Sequence, residues 1–262
     1  MSHPHLSAIR AQAPLIHNIT NYVVMNNTAN ALLALGASPV MAHAVEEVVE
    51  LVQHSRALVI NIGTLSADWI TAMAAAARAA AERQIPIVLD PVGCGATAYR
   101  AKTAIALIEA ARPTVIRGNA SEIRALVRCS GGSKGVDSQH APEEVLDEAV
   151  TLAQTLGCVV SVSGPTDIVV TGERTAHVGN GDPLMSRVTG MGCTASAVTG
   201  AFLAVAEDAF EAAVAAMVTM GVAGELAAVR ASGPGSFQMH FLDVLHGLRE
   251  AELELLARLT RN

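Results

Sequence analysis

Three short stretches combine residue types and spacings that could do chemistry. Thr189-Gly190-Met191-Gly192-Cys193-Thr194-Ala195 opens a long apolar run. Glycines there let successive backbone N–H groups curl into a nest, and a helix starting at that point adds its positive dipole end, which suits phosphate. The same letters fit the dinucleotide fingerprint G-x-G-x-x-A. That fingerprint needs a strand before it and a βαβ unit around it, whereas a Gly/Asp/Pro loop, Gly179–Pro183, lies upstream and helical pattern follows. Glycines serving only close helix packing remain an alternative. Gly131-Gly132-Ser133-Lys134 does not satisfy the Walker A spacing.

Asp90 ends the run Ile87-Val88-Leu89-Asp90 and precedes Pro91. A carboxylate there can hold Mg²⁺ directly or through water, or simply cap a turn. Arg117, in Arg117-Gly118-Asn119-Ala120-Ser121-Glu122, can pair with phosphate in a fork geometry that Lys cannot match. Asn119 and Glu122 also fit a capping box, a reading that leaves Arg117 unexplained. Cys193 stands near the expected helix start, where a thiol pKa falls below its ordinary ~8.5. It could be a nucleophile, but no His is adjacent in sequence, and a small residue filling space explains it equally well.

Short β-branched runs alternate with Ala/Leu-rich helical stretches and place these residues. The expected strands are Leu15–Thr20, Ser38–Met41, Ala57–Asn61, Ile87–Asp90, Thr114–Arg117 and Val159–Val162. The expected helices between them are Met25–Leu35, Val45–His54, Ala67–Arg83, Lys102–Arg112 and Glu143–Leu156. Continuously apolar strands, each followed by a helix, predict an α/β fold with a mostly parallel central sheet flanked by helices on both faces. Asp167–Thr171 and Thr175–Val178 read as a hairpin joined at Gly172–Arg174, and from Gly192 onward the chain reads almost wholly helical apart from a break at Ser232–Ser236. No linker divides the chain, so one domain over 1–262 is expected. Ligands of open α/β sheets sit at the carboxyl ends of the strands. Polar or glycine-rich residues follow nearly every strand there: Asn18–Asn21, Asn61–Thr64, Asp90–Gly95, Arg117–Asn119 and Ser163-Gly164.

Composition narrows the classes. Of 262 residues, 51% are hydrophobic and 16% charged, which excludes a disordered chain. A net charge of −7 argues against nucleic acid as the main partner. The stretch Val188–Ala206 is uncharged and near the length of a membrane span. Its Gly, Ser and Thr content favours a buried helix, so no membrane partner is expected. Met1–Ala11 lacks an apolar signal region, and a cytoplasmic location is expected. The four cysteines form no C-x-x-C pair.

Taken in order, these motifs resemble the hydroxyethylthiazole kinase family of the ribokinase-like superfamily. The matching stretches are Pro14–Val23, Leu35–Ala42, Asn61–Leu65, Leu89–Gly93, Ile116–Asn119, Lys134–Ser138, Val188–Cys193 and Gly233–Phe237. The resemblance implies a ribokinase-like fold and ATP-dependent phosphorylation of the hydroxyl of 4-methyl-5-(2-hydroxyethyl)thiazole in thiamine biosynthesis. It also implies a homotrimer with the thiazole site at the subunit boundary. By matched position, Asn21, Met41 and Gly190 would contact thiazole. Arg117, Ser163 and Gly192 would contact ATP, Ser163 keeping the hydroxyl of the Thr that family members carry more often. Asp90 and Glu122 would organise Mg²⁺. Cys193 would lie near the substrate hydroxyl, as weak base or spacer, where most of the wider superfamily has Asp. A pyrimidine or pyridoxal kinase, an NAD-dependent oxidoreductase and a thiazole binder that has lost catalysis are the competing expectations.

Overall fold

The computed structural model describes residues 5–129 and 142–262. The expected motif Lys134–Ser138 lies outside the described residues. The strands are β1 Leu15–Ile19, β2 Ser38–Val40, β3 Ala57–Asn61, β4 Ile87–Asp90, β5 Val115–Asn119, β6 Val159–Ser163, β7 Asp167–Val170, β8 Thr175–Val178 and β9 Leu259–Arg261. They form one sheet in the order β2-β1-β3-β4-β5-β6-β7-β8-β9. From β2 to β6 every pair is parallel, and β7, β8 and β9 add on antiparallel.

Helices cover both faces, as the continuous apolar strands require. One face carries α1 His5–Gln12, α2 Met25–Leu35, α8 Met191–Leu203, α9 Ala209–Arg230, α10 Pro234–Gly247 and α11 Glu250–Leu256. The other carries α3 Val48–His54, α4 Ala67–Glu82, α5 Ala98–Ala110, α6 Ala120–Cys129 and α7 Pro142–Leu156. Ile16 belongs to the first core and Ile19 to the second, the alternation of a strand buried on both sides. Local chemistry sets several helix starts. The hydroxyls of Ser66 and Thr97 accept from Trp69 N and Arg100 N, and the Asp208 carboxylate accepts from Phe210 N and Glu211 N.

Some expected boundaries move. The helix expected at Lys102 begins four residues earlier, at Ala98, behind its Thr97 cap. The helix expected at Val45 begins at Val48. The C-terminal region is not wholly helical: β9 pairs with β8, Thr260 opposite His177. The stretch Val188–Ala206 is not one span either, because the helix within it covers only Met191–Leu203. Among the described residues, the one helix long and apolar enough to cross a membrane is α9, of 22 residues, and it is a core helix, mostly buried and packed on α8, α10 and the sheet.

Candidate active site

The chain runs β1 to β2 outward and then returns across β1 to β3, so the direction of winding reverses beside β1. A crevice at the carboxyl ends of the strands follows from that reversal. In sheet order the strand ends there carry Asn21 after β1, Asn61 on β3, Asp90 on β4, Arg117 on β5 and Ser163 on β6. Asn61 and Asp90 are register partners.

A buried hydrogen-bonded chain links these ends. Asp90 Oδ2 accepts from Asn61 Nδ2 and from Ser196 Oγ of α8, each at 2.7 Å. Asn61 Oδ1 accepts from Asn21 Nδ2 at 2.8 Å and from Gly63 N at 2.9 Å. Asn21 Nδ2 also reaches Cys193 Sγ at 3.5 Å, and its Oδ1 accepts from Val23 N. Asp90 is thus anchored through one oxygen, and Oδ1 accepts no hydrogen bond among the described residues. Burial pushes the Asp90 carboxyl up to about 6, against the opposing pull of Arg117.

The first turn of α8 lies across this chain. Gly190 takes a left-handed conformation, φ 83°, and a Cβ there would come within 2.6 Å of Val24 Cγ1. No side chain caps the helix. Thr194 N closes the first helical bond onto Gly190 O, while the N–H groups of Met191, Gly192 and Cys193 find no acceptor among the described residues. Gly192 lets Arg117 approach: a Cβ there would sit 2.8 Å from Nη1. Arg117 itself is buried, and its Nε has no partner among the described residues. Unsatisfied N–H donors and a buried guanidinium therefore converge on one point, the requirement of an anion site.

Beside that point lies a cavity of 630 Å³ whose lining includes Arg117, Ser163 and Asp167 together with Met185, Met217 and Met220. Ser163 Oγ donates to Gly118 O at 3.4 Å. Glu122 makes the expected capping box. Its Oε2 accepts from Asn119 N, Asn119 Oδ1 accepts from Glu122 N, and its Oε1 also accepts from Gly93 N at 2.8 Å, tying the loop after β4 to α6. Met41 stands at the outer end of β2. Its segment is held by buried His17, whose Nε2 lies 2.9 Å from Ala42 O and whose burial lowers its pKa. Among the described residues no hydrogen bond joins Met41 to Asn21 or Cys193.

Two expectations are corrected. The Cys193 thiol pKa is raised rather than lowered, because burial, and then the nearby Asp90 charge, outweigh the help from Asn61, Asn21 and Arg117. The dinucleotide reading fails on context, because the turn before Gly190 is a 3₁₀ helix, Pro183–Arg187, and not a strand. Sequence reasoning left Asn61 without a role and missed Ser196, Met217 and Met220. Asn61 carried a signal, a polar residue ending an apolar strand. The other three lie inside apolar helices and read as core.

A magnesium ion fits Asp90, whereas Glu122, with both oxygens accepting from backbone N–H groups, would act only by holding the Gly93 loop and through water. Among the described residues no group of three or more His, Cys, Asp or Glu could hold a metal. Mg²⁺ needs no such cage, since it uses one or two carboxylates and completes its shell with phosphate oxygens and water. Asp90, anchored through one oxygen with the other unbonded, is suited to that.

The hydroxyethylthiazole kinase family model matches residues 6–251. A hydroxyethylthiazole kinase of Syntrophus aciditrophicus is 57% identical over 95% of this chain and 92% of its own length. The structure of a hydroxyethylthiazole kinase from Pyrococcus horikoshii superposes with a TM-score of 0.92 at 43% identity, covering 98% of this chain and 97% of that one. A ribokinase-like superfamily protein of Enterococcus faecalis, 13% identical with a TM-score of 0.62 over 92% of this chain and 89% of that one, shares the fold.

Proposed function

The chain belongs to the hydroxyethylthiazole kinase family, and from that premise we propose that its crevice transfers the γ-phosphoryl group of ATP to the hydroxyl of 4-methyl-5-(2-hydroxyethyl)thiazole, a step of thiamine biosynthesis. One observation carries the reading. Neighbouring residues of the α8 first turn touch the two sides of the site, Gly192 against Arg117 and Cys193 against Asn21. Phosphate on the Arg117 side and an alcohol on the Asn21 side would meet at that turn.

Phosphoryl transfer passes through a loose transition state, so positioning and charge stabilisation supply most of the catalysis. The N–H groups of Met191, Gly192 and Cys193 would hold the transferring group, and Arg117 would offset its charge. Ser163 would contact the nucleotide from the end of β6, with the base toward Met217 and Met220. Mg²⁺, held by Asp90 and organised through Glu122, would neutralise phosphate charge when bound. Asn21, Met41 and Gly190 would line the thiazole side, and the Asn21 amide is fixed there by Asn61. Cys193 would act as a spacer beside the hydroxyl, because a thiol with a raised pKa stays protonated at neutral pH and makes a poor base. We place the working form as a homotrimer with the thiazole side at the boundary between copies, and the reaction in the cytoplasm, where ATP is supplied.

The test is ADP release with Mg·ATP and hydroxyethylthiazole against a control without thiazole, with the product weighed by mass spectrometry. Thiazole-dependent ADP and a phosphorylated product are expected. Turnover with pyridoxal or a hydroxymethylpyrimidine but not with the thiazole would reassign the acceptor. Thermal stabilisation by thiazole without any turnover would reduce the protein to a binder.

A further inference from the structure

One wall of the 630 Å³ cavity is the segment Asn180-Gly181-Asp182-Pro183, which joins β8 to the 3₁₀ helix and has no strand partner of its own. What holds it comes from distant parts of the chain. Asn180 is buried with its amide fully used. Its Nδ2 donates to Glu225 of α9 and to Leu256 O at 2.9 Å, and its Oδ1 accepts from Arg258 N at 2.6 Å. Glu225 Oε1 accepts from Gly181 N at 2.7 Å. Arg258 pairs with Glu225 and donates to Gly179 O from Nη2 at 2.6 Å and from Nε at 3.0 Å. The approach is close by construction: a Cβ on Gly221, one helical turn before Glu225, would lie 2.5 Å from Asn180 Cβ and 2.8 Å from its backbone.

We propose that Glu225 and Arg258 are positioning residues for the nucleotide, clamping residues 179–181 so that the cavity keeps the width ATP needs. The C-terminal segment from Leu256 is thereby part of the construction of the nucleotide site. Neither residue lines the cavity, so each acts through the wall it holds. The proposal rests on the reading that this cavity takes ATP. Both side chains are partly exposed, and an exposed ion pair adds little to stability. Their effect is therefore expected in geometry. Removing the Glu225 carboxylate takes away the acceptor of Gly181 N, one acceptor of Asn180 and the charge partner of Arg258 together.

The experiment is steady-state kinetics with ATP varied at saturating thiazole, and the reverse, on the wild-type protein, Glu225→Ala, Glu225→Gln and Arg258→Ala. Met220→Arg, which places a charge in the cavity, is the control. KM for ATP should rise about tenfold in both alanine variants, the order expected when hydrogen bonds to charged groups are lost. Glu225→Gln keeps the oxygen acceptor and should rise less. Thiazole KM and kcat should stay within about twofold. The melting temperature should change little in Arg258→Ala, which breaks a partly exposed pair, but fall in Glu225→Ala, which leaves Gly181 N and the Asn180 amide short of an acceptor. An unchanged ATP KM in both alanine variants, with Met220→Arg raising it, overturns the clamp and leaves the ATP reading intact. No effect of Met220→Arg overturns the ATP reading and the clamp with it. Parallel weakening of both substrates and of kcat means general loosening and also overturns the clamp. Should Glu225→Ala fail to fold, Glu225→Gln and Arg258→Ala decide.

Discussion

At residue scale, Cys193 and Asp90 stand at opposite ends of the polar chain through Asn61 and Asn21 and do different work. Burial and the Asp90 charge keep the thiol protonated at neutral pH, so Cys193→Ala should lower kcat by less than tenfold, below the ~10²–10⁴ of a true general base. Asp90→Asn should cost about 10²–10³ in kcat, the scale of losing one preorganised electrostatic contact. Equal losses in the two variants would make the thiol a base after all. Asp90 carries a second, opposite prediction. Its carboxyl is raised from 3.8 to about 6, so the folded protein binds this proton more tightly than the unfolded chain. The fold is favoured while the group is neutral, and that advantage is lost as pH rises through about 6. At pH 7 the buried charge costs up to about 3 kcal/mol. Asn can still accept from Asn61 and Ser196. Asp90→Asn, freed of nucleotide and metal, should therefore melt higher than wild type at pH 7, with the gap closing toward pH 4. A lower melting temperature at pH 7 would mean that the Arg117 and amide contacts outweigh burial.

At the scale of elements, the site depends on how closely the first turn of α8 meets its neighbours. Gly192→Ala should leave the fold intact, because the Cβ meets only the end of the Arg117 side chain, at 2.8 Å. Arg117 must then move, and kcat/KM for ATP should fall about 10²-fold, the scale of a misplacement near 1 Å. Gly190→Ala meets Val24 and a left-handed φ together, so it should lower both activity and melting temperature. Kinetics and thermal melts on the two variants separate these outcomes; a stability loss in Gly192→Ala larger than in Gly190→Ala would contradict them. The same elements show what the letters of the chain reveal. Strands β3, β4 and β6 were legible because parallel strands buried on both faces read as nearly unbroken apolar runs. The ends Asp90 and Arg117, and the spacing Gly190–Cys193, were legible because polar residues and glycines there have few structural uses. Strand β9 was not, since three residues, Leu-Thr-Arg, have no period and owe their extension to pairing with β8. Ser196 and Met220 look like core positions until packing turns them toward Asp90 and the cavity. The Cys193 shift was misjudged because the helix start is visible in sequence, whereas burial and the Asp90 charge exist only in the fold.

At the scale of the whole molecule, the proposed thiazole side lies beside a surface on which apolar side chains are exposed among the acidic Glu46, Glu47 and Glu50. Tyr22 is 67% exposed and Val23 61%, next to Asn21, and Val45 and Val49 are 41% and 42% exposed beyond Met41. The two segments are braced together by ring contacts, Tyr22 and His43 each 4.6 Å from buried Trp69. Exposed apolar side chains gathered beside a proposed ligand site can mark an interaction face, and the proposed trimer would cover them with a second copy. Val49→Glu tests this without touching the site. On a monomer it is a surface substitution worth within about ±0.5 kcal/mol. Across a dry interface, the same buried unpaired charge costs several kcal/mol. Sedimentation should therefore find the wild-type chain as a trimer and Val49→Glu as smaller species. The variant's thiazole KM should rise about tenfold or more while its ATP KM holds, because the nucleotide cavity lies on β5, β6 and α9, away from this rim. A wild-type chain that sediments as a monomer with full activity would place the complete thiazole site within one subunit.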